Sequence, residues 1–261
     1  MSPRTGPPAG RSRRTERRDL GQQVEGRRAV RELLVARTRR VHDLWLSSDA
    51  DRAPILDEIT ELAGDAGVKV RRVPGLQVDQ KARTEAPQGV VAFAAPLATV
   101  ELDVLLAAPD VFLVALDGVT DPQNLGAVLR TAEAIGATGA VLPRHRAVRI
   151  TPAVTKAAAG AIEHLPLAFV SGIPNALEQV QRAGVWSVGL DAGGTTSVFD
   201  VAVADQRIVL ALGAEGRGLS RLTRTRCDVV ASIPMRGHVE SLNVSAAAAI
   251  ACAAIARART Q

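Results

Sequence analysis

Polar side chains able to hold a ligand follow three short apolar segments of the sequence. Asn124, Glu215, Ser241 and Asn243 stand in the loops or helix starts behind these segments, and Arg130 lies on the helix that includes Asn124. Amides and hydroxyls orient a ligand by hydrogen bonds, a carboxylate can face a cation, and a guanidinium binds phosphate or developing negative charge. The sequence shows no metal-ligand spacing, no Ser-His-Asp order and no paired catalytic carboxylates. The set therefore indicates a polar ligand site without a metal.

Residues 213–218 form a glycine-rich loop with the spacing G-x-x-G-x-G. Dinucleotide-binding loops have the spacing G-x-G-x-x-G, and phosphate-binding loops need a following lysine that this segment lacks. The spacing therefore disfavours a nicotinamide-dependent oxidoreductase. Glycines still let a ligand approach backbone N–H and C=O groups closely, and Glu215 adds a carboxylate. The alternative is a tight turn with an exposed acid.

The segment from Ile233 to Asn243 joins an apolar run to an alanine-rich helix predicted over 244–259. Ser241 and Asn243 are both suited to capping that helix, because their side chains satisfy free N–H groups of its first turn. The helix is apolar nearly all round, which predicts burial. The segment is therefore either an ordinary strand-to-helix turn or one wall of a ligand cleft.

Arg130 lies roughly opposite the apolar stripe of the helix predicted over 122–136. It is therefore a solvated surface residue, or it faces a cleft or a partner subunit. The stripe consists of Leu125, Val128, Leu129, Ala132 and Ile135.

The order of apolar segments predicts an α/β fold in two parts. From residue 111 onward strands alternate with helices, which predicts a parallel sheet covered on both faces, with ligands at the carboxyl ends of its strands. The loops 117–124, 213–218 and 234–243 leave those ends. The predicted strands are 111–116, 140–142, 185–190, 208–212 and 229–233, and the predicted helices are 122–136, 152–161, 174–183, 219–225 and 244–259.

Residues 21–97 predict a separate, smaller α/β domain, joined to the domain 111–261 by a linker over 98–110. Its predicted helices are 28–36, 55–66 and 78–82, its predicted strands are 41–47, 68–73 and 90–94, and the linker carries a short helix over 102–107. Residues 1–20 are rich in Pro, Gly, Arg and Ser and predict a disordered basic arm.

Positive charge is concentrated near the N-terminus. Residues 1–40 hold twelve arginines and four acids, a charge of +8, whereas the whole chain carries +5. Such a segment, with Arg27 and Arg28 in it, favours a nucleic-acid partner through phosphate neutralisation, although a merely soluble tail is the alternative. Aromatic residues make up 2% of the chain, so binding by stacked bases is not expected.

Two isolated cysteines and the absence of a secretory signal or membrane-length apolar run predict a cytoplasmic protein that contacts no membrane.

Three segments together resemble the motifs of the SpoU/TrmH family of RNA ribose 2′-O-methyltransferases, within the SPOUT class. They are 117–130 (DGVTDPQNLGAVLR), 212–219 (LGAEGRGL) and 233–246 (IPMRGHVESLNVSA). The upstream module, with GRRAV at 26–30 and APQGV at 86–90, resembles the family's RNA substrate-binding domain, which is like a small ribosomal protein. The nearest subgroup is the RlmB type, which methylates a guanosine of 23S rRNA.

This resemblance implies a deep trefoil knot at the C-terminus, S-adenosyl-L-methionine as cofactor, and a homodimer formed through the C-terminal domain. It implies that the cofactor is held by Leu212, Gly213, Ala214, Gly218, Ile233, Met235, Leu242 and Val244. It assigns a central catalytic role to Arg130. We expect Asn124, Ser241 and Asn243 to orient Arg130 and the ribose of the target nucleotide, and Glu215 to position the site and favour the cationic sulfur of the cofactor. We expect Arg27, Arg28 and Arg130 to contact RNA.

The role of Arg130 is open between a perturbed base and a group that binds phosphate and stabilises the alkoxide. We favour the second, because an arginine pKa above about 12 makes a poor base. The motifs do not separate a 23S rRNA target from a tRNA, or from a ribosomal nucleotide whose methylation confers antibiotic resistance. A non-catalytic RNA-binding or ribosome-assembly factor is the alternative from another class.

Overall fold

The computed structural model describes residues 22–144, 149–239 and 241–260, and the chain in these ranges builds two β-sheets. The predicted basic arm over 1–20 lies outside the described residues. None of the helices in these ranges is long and apolar enough to cross a lipid bilayer.

The smaller sheet is mixed and has the strand order β1-β4-β2-β3. Strand β4 runs antiparallel to β1 and β2, and β2 and β3 are parallel. Side chains such as Leu33, Leu44 and Ile59 are fully buried between this sheet and its first two helices. The elements are β1 (Gln23–Glu25), α1 (Arg27–Ala36), β2 (Val41–Ser47), α2 (Pro54–Asp65), β3 (Val70–Val73), α3 (Gly75–Lys81) and β4 (Val90–Ala94).

The larger sheet has seven parallel strands in the order β7-β6-β5-β10-β8-β11-β9, which confirms the predicted parallel sheet. Its strands are β5 (Phe112–Asp117), β6 (Gly139–Pro143), β7 (Leu167–Val170), β8 (Trp186–Leu190), β9 (Thr196–Ser197), β10 (Ile208–Gly213) and β11 (Val229–Ser232). Strands β1, β7 and β9 were not predicted from the sequence. These strands have two to four residues, too few for a recognisable alternation.

Helices cover both faces of this sheet. One face packs with Leu129, Val154 and Ala251, and the other with Leu105 and Leu177, all of them buried. Full burial of one such aliphatic side chain contributes about 1.5–3 kcal/mol. The helices are α4 (Leu102–Leu106), α5 (Pro122–Ala134), α6 (Pro152–Ala157), α7 (Ile173–Arg182), α8 (Arg221–Arg226) and α9 (Val244–Arg259).

The predicted continuation of α6 to Ala161 is wrong. The helix ends at Ala157, and Ala159 and Gly160 then have φ angles of 50° and 93°. This left-handed backbone turns the chain so that Gly160 lies against α1, where a Cβ would come within 2.3 Å of the Glu32 Cβ. The contact between the two halves of the chain thus overrides the local helical preference.

The two halves of the chain pack closely together. Arg39 donates to Glu163 in two hydrogen bonds of 2.9 and 2.5 Å, and these side chains are only 3% and 1% exposed. The segment predicted as a linker also packs: Leu105 and its neighbours in α4 lie in the core of the larger sheet. Val100 forms a bridge to Ala168 in β7.

Gly126 is expected to be essential for the packing of α5 on α6. A Cβ there would lie 2.4 Å from the Ala157 Cβ and 2.8 Å from backbone atoms of Ala158 and Val154. We therefore expect Gly126→Ala to lower the free energy of unfolding by about 1–3 kcal/mol, measured by urea denaturation.

Gly64→Ala in α2 is the matched control, because a Cβ at Gly64 would have no atom within 4 Å. This helical substitution should leave stability unchanged or raise it by up to about 1 kcal/mol. Equal losses in the two variants would show that the contact with α6 is not the cause.

Candidate active site

Two of the three predicted ligand loops, 213–218 and 234–243, line a cavity of about 240 Å³ at the carboxyl ends of the larger sheet. The third loop, 117–124, reaches its edge through Asn124, which bonds to Glu215. The floor of the cavity is the end of β10, and the segments after β8 and β11 form its sides. All the residues expected to hold the cofactor line this cavity, namely Leu212, Gly213, Ala214, Gly218, Ile233, Met235, Leu242 and Val244. Ser241 and Glu215 line it as well.

A network of side-chain hydrogen bonds joins these loops to one another. The Asn124 Nδ2 donates to Glu215 Oε2 at 3.0 Å, and the Asn243 Nδ2 donates to Asn124 Oδ1 at 3.0 Å and to Glu215 Oε1 at 3.1 Å. Asn124 is only 8% exposed. Three residues that are distant in sequence are therefore held in one cluster beside the cavity.

The helix starts position both asparagines. Asp121 caps α5, and its carboxylate accepts from the backbone N–H of Asn124 at 3.1 Å. Asn243 itself caps α9, and its Oδ1 accepts from the N–H and the hydroxyl of Ser245 at 2.8 and 2.6 Å. Asn243 thus uses its oxygen for the cap and its amide nitrogen for the network.

The glycine loop folds back on itself as a tight turn. Ala214 and Gly218 exchange two backbone hydrogen bonds of 3.0 and 2.9 Å. A Cβ on Gly213 would lie 2.0 Å from the Gly218 carbonyl carbon, so a side chain cannot fit there. Asp117, at the end of β5, fixes the far end of the loop by accepting from the N–H of Ser220 and the hydroxyl of Thr223 at 2.9 and 2.6 Å. The wall that faces the cavity is therefore mostly backbone.

The loop after β8 also lines the cavity, through Asp191 and Ala192, and it was not predicted from the sequence. Asp191 accepts from the N–H groups of Gly193 and Leu219 at 3.0 and 3.3 Å and pairs with Arg224 at 3.3 Å. The sequence could have indicated this loop, because β8 is among the predicted strands and ligands bind at the carboxyl ends of parallel strands.

Arg130 does not reach this cavity within its own subunit. Its side chain is exposed and lines a second groove, of about 560 Å³, together with Arg28, Arg31, Glu133 and His164. Arg130 lies six residues after Asn124 on α5, a rise of about 9 Å along the helix axis. The expected orientation of Arg130 by Asn124, Ser241 and Asn243 is therefore not found within one subunit.

The two arginines expected to contact RNA differ in their surroundings. Arg27 is held by Gln88, to which it donates from its backbone N–H and from Nε at 3.0 Å each. Arg28 is exposed and lines the groove that contains Arg130. Of the pair, Arg28 is the better placed for an incoming phosphate.

Neither cysteine is suited to act as a nucleophile. Burial, and to a smaller extent the charges of Asp228 and Asp117, raise the pKa of the Cys227 thiol to about 12. Burial alone raises the pKa of Cys252 to about 12. Both thiols therefore stay protonated at neutral pH. Over the described ranges, no group of three His, Cys, Asp or Glu side chains could hold a metal ion.

Comparison with known families matches most of the chain. Residues 111–253 match the model of the SpoU rRNA methylase family, and residues 23–100 match the model for RNA 2′-O ribose methyltransferase substrate binding. The cavity and all the loops around it lie within the first match.

Individual relatives agree with these matches. The chain is 38% identical to YacO of Bacillus subtilis, assigned to the TrmH family of tRNA/rRNA methyltransferases, over 87% of this chain and 92% of the relative. It is 39% identical to the 23S rRNA (guanosine-2′-O-)-methyltransferase RlmB of Shewanella oneidensis, over 87% and 93% of the two chains. The crystal structure of the SpoU methyltransferase AviRb of Streptomyces viridochromogenes, in complex with AdoMet, superposes with a TM-score of 0.77 and 29% identity, covering 92% and 90%.

The parallel sheet, the cavity at its carboxyl edge and these matches define an S-adenosylmethionine-dependent RNA methyltransferase. The chain belongs to the SpoU rRNA methylase family, in the group that also carries the TrmH name.

The asparagine network should be energetically coupled. We expect Asn124→Ala and Asn243→Ala each to lower the free energy of unfolding by about 1–2 kcal/mol, because each leaves polar partners unsatisfied. The double variant should lose about 0.5–1.5 kcal/mol less free energy of unfolding than the two single variants lose together. The reason is that the second substitution no longer breaks the hydrogen bond that the two residues share.

Urea denaturation of the four proteins measures this coupling. The control pairs Asn124→Ala with Asn175→Ala, an exposed residue of α7 that bonds only to Arg226 among the contacts described. In this control pair, the losses in free energy of unfolding should be additive. Additivity in the test pair as well would mean that the bond between Asn124 and Asn243 contributes nothing.

Proposed function

We propose that this enzyme transfers a methyl group from S-adenosylmethionine to the ribose 2′-hydroxyl of a guanosine in 23S rRNA. The observation that carries the proposal is the cluster of Asn124, Glu215 and Asn243 at the edge of a cavity lined by all the expected cofactor residues. The choice of RNA is supported by the substrate-binding match and by the RlmB relative, which aligns over 93% of its length.

The lining of the cavity fits the chemistry of the proposed cofactor. Leu190, Leu212, Ile233 and Val244 supply apolar walls for an adenine ring. At Gly213 only backbone atoms face the ligand, because a Cβ on this residue would collide with Gly218 of the same loop. When bound, S-adenosylmethionine supplies an electrophilic methyl group on a positively charged sulfur, so the transfer needs no metal.

The side chains around the cavity then have distinct roles. Glu215 places negative charge beside the cation, and the two amides that bond to it fix its direction. Ser241 and Asn124 orient the ribose of the target nucleotide in the RNA. Arg130 binds the adjacent phosphate and stabilises the alkoxide as the 2′-hydroxyl loses its proton, because a guanidinium keeps its charge at neutral pH.

The proposed active site is completed by a second subunit. Arg130 faces away from its own cavity, and α9 exposes Ala246 and Ala253, with Ile250 only half-buried. A homodimer through the C-terminal domain would cover this small-residue face. It would also bring the partner subunit's Arg130 to the cavity edge.

We propose the domain division 21–97 for RNA binding, 98–110 as connection and 111–261 for catalysis, with a trefoil knot in the last part. Support for the knot comes from the strand order. Strand β11 lies between β8 and β9 and pairs with both, so the connection from β8 to β9 has to cross β11, which comes later in the chain. At this crossing Gly194 has no room for a side chain, since a Cβ would come within 2.4 Å of the Ala231 carbonyl carbon. The cytoplasmic location and the RNA contact of the basic arm stay predictions.

Mapping of 2′-O-methylated positions tests the proposed substrate. Unmodified 23S rRNA and bulk tRNA are incubated separately with the protein and S-adenosylmethionine, and the modified riboses are located by primer extension at limiting nucleotide. We expect one new methylated guanosine in 23S rRNA and none in tRNA.

Gly213→Ala is the negative control for this experiment and should give no methylation. Gly237→Ala is the matched glycine substitution that should keep methylation, because no atom lies within 4 Å of a Cβ at Gly237. Methylation of tRNA alone would contradict the proposed target. RNA binding without methyl transfer would support an assembly factor instead.

Mixing of two inactive variants tests whether Arg130 acts across the dimer. Arg130→Ala should lose more than about 100-fold in turnover but keep cofactor affinity, since it lies outside the cavity. Gly213→Ala should lose cofactor binding. If the site is shared, unfolding and refolding the two variants together restores about a quarter of wild-type activity, because half of the dimers then contain one complete site.

Arg182→Ala, at an exposed position of α7, is the matched arginine control and should keep full activity. An Arg130 that acts within its own subunit gives no recovery on mixing. Full turnover of Arg130→Ala would remove this residue from the mechanism altogether.

A further inference from the structure

Two carboxylate side chains line the cavity, and they stand on different sides of its floor. Glu215 belongs to the cluster on the side of β5, whereas Asp191 follows β8, on the other side of β10. We propose that the Asp191 carboxylate accepts a hydrogen bond from a ribose hydroxyl of S-adenosylmethionine and so fixes the nucleoside end of the cofactor. This rests on the proposed position of the cofactor in the cavity.

The charge around Asp191 favours a neutral donor. Arg224 pairs with the carboxylate at 3.3 Å, and the Asp191 side chain is only 13% exposed. The pair is close to neutral, so a cationic group such as an ammonium would have to compete with a guanidinium already in place. A hydroxyl meets no such competition, since it brings no charge.

The carboxylate also keeps hydrogen-bonding capacity for a ligand. Its Oδ1 accepts from Gly193 and pairs with Arg224, while its Oδ2 accepts a single, long bond of 3.3 Å from the Leu219 N–H. A carboxylate oxygen accepts about two hydrogen bonds, which leaves capacity on Oδ2.

The space in front of this oxygen is kept open by a glycine. A Cβ on Gly218 would lie 2.7 Å from the Asp191 Oδ2, so a side chain there would cover the atom. Gly218 also has a φ of 65°, which a glycine adopts without strain. The adjoining apolar residues Leu190 and Leu212 suit the adenine ring, and a hydroxyl of the attached ribose would lie within reach of the carboxylate.

The same chemistry is used elsewhere in α/β proteins. In dinucleotide-binding folds, an Asp or Glu that follows a strand in sequence accepts a hydrogen bond from a ribose hydroxyl of the cofactor. Here the strand is β8 and the topology differs, so the parallel lies in the chemistry alone.

Calorimetric titration of the full chain with S-adenosylhomocysteine and with its 2′-deoxy and 3′-deoxy analogues tests the proposal. Wild-type protein should bind at least one deoxy analogue about 10-fold to 100-fold more weakly than the parent, as expected for a lost bond to a charged acceptor. In Asp191→Asn, the parent should bind more weakly, and loss of the same hydroxyl should cost less than about threefold.

Arg224→Gln is the control for loop position, since it removes the ion pair and keeps the carboxylate. It should keep the preference for the hydroxyl. Equal binding of all three ligands to wild-type protein would overturn the proposal without any variant, and so would an unchanged preference in Asp191→Asn. If wild-type protein bound none of the ligands, the proposed cofactor site would fall as well, which separates the two failures.

Discussion

The hydrogen bonds among Asn124, Glu215 and Asn243 are the interaction on which the site depends. They connect the start of α5, the turn after β10 and the start of α9, three segments that no backbone ladder joins. Asp121 fixes the backbone of Asn124, and the cap of α9 fixes the Asn243 side chain, so the Asn243 amide has little side-chain freedom left to lose. Side chains that are already ordered can stabilise charge without reorganising, which is the requirement for electrostatic catalysis.

Around this cluster, recognition relies on backbone and small residues. Gly213 and Gly194 both stand where chain segments approach too closely for a Cβ, and the close approach at Gly213 bounds the cavity. A wall of this kind holds its shape because backbone atoms cannot change rotamer.

The parts of the fold that follow local rules were predictable from sequence. Proline near the helix start and apolar periodicity located α5, and the carboxyl-end rule placed Asn124, Glu215 and Asn243 together. What depends on contacts between distant segments was not predictable. The end of α6 at Ala157 follows from the packing of Gly160 on Glu32, and β9 exists because β11 lies beside it. Asp191 was overlooked although the same rule covered it, since Asp-Ala-Gly-Gly resembles an ordinary turn.

The docking of the two halves bears on the role of Arg130. Glu163, which is buried in its pair with Arg39, is next in sequence to His164, a residue of the groove that holds Arg130. Arg28 comes to that groove from the smaller half. Breaking a buried ion pair on one side costs about 3–5 kcal/mol, so the two walls of the groove should keep their relative position. A phosphate held between Arg28 and Arg130 would then lie at a fixed distance from the catalytic sheet. In the proposed homodimer, one RNA strand contacts the smaller half of one subunit and receives its methyl group at the cavity of the other. The proposed need for a dimer thus rests on the exposed position of Arg130 on α5, away from the cavity of its own subunit.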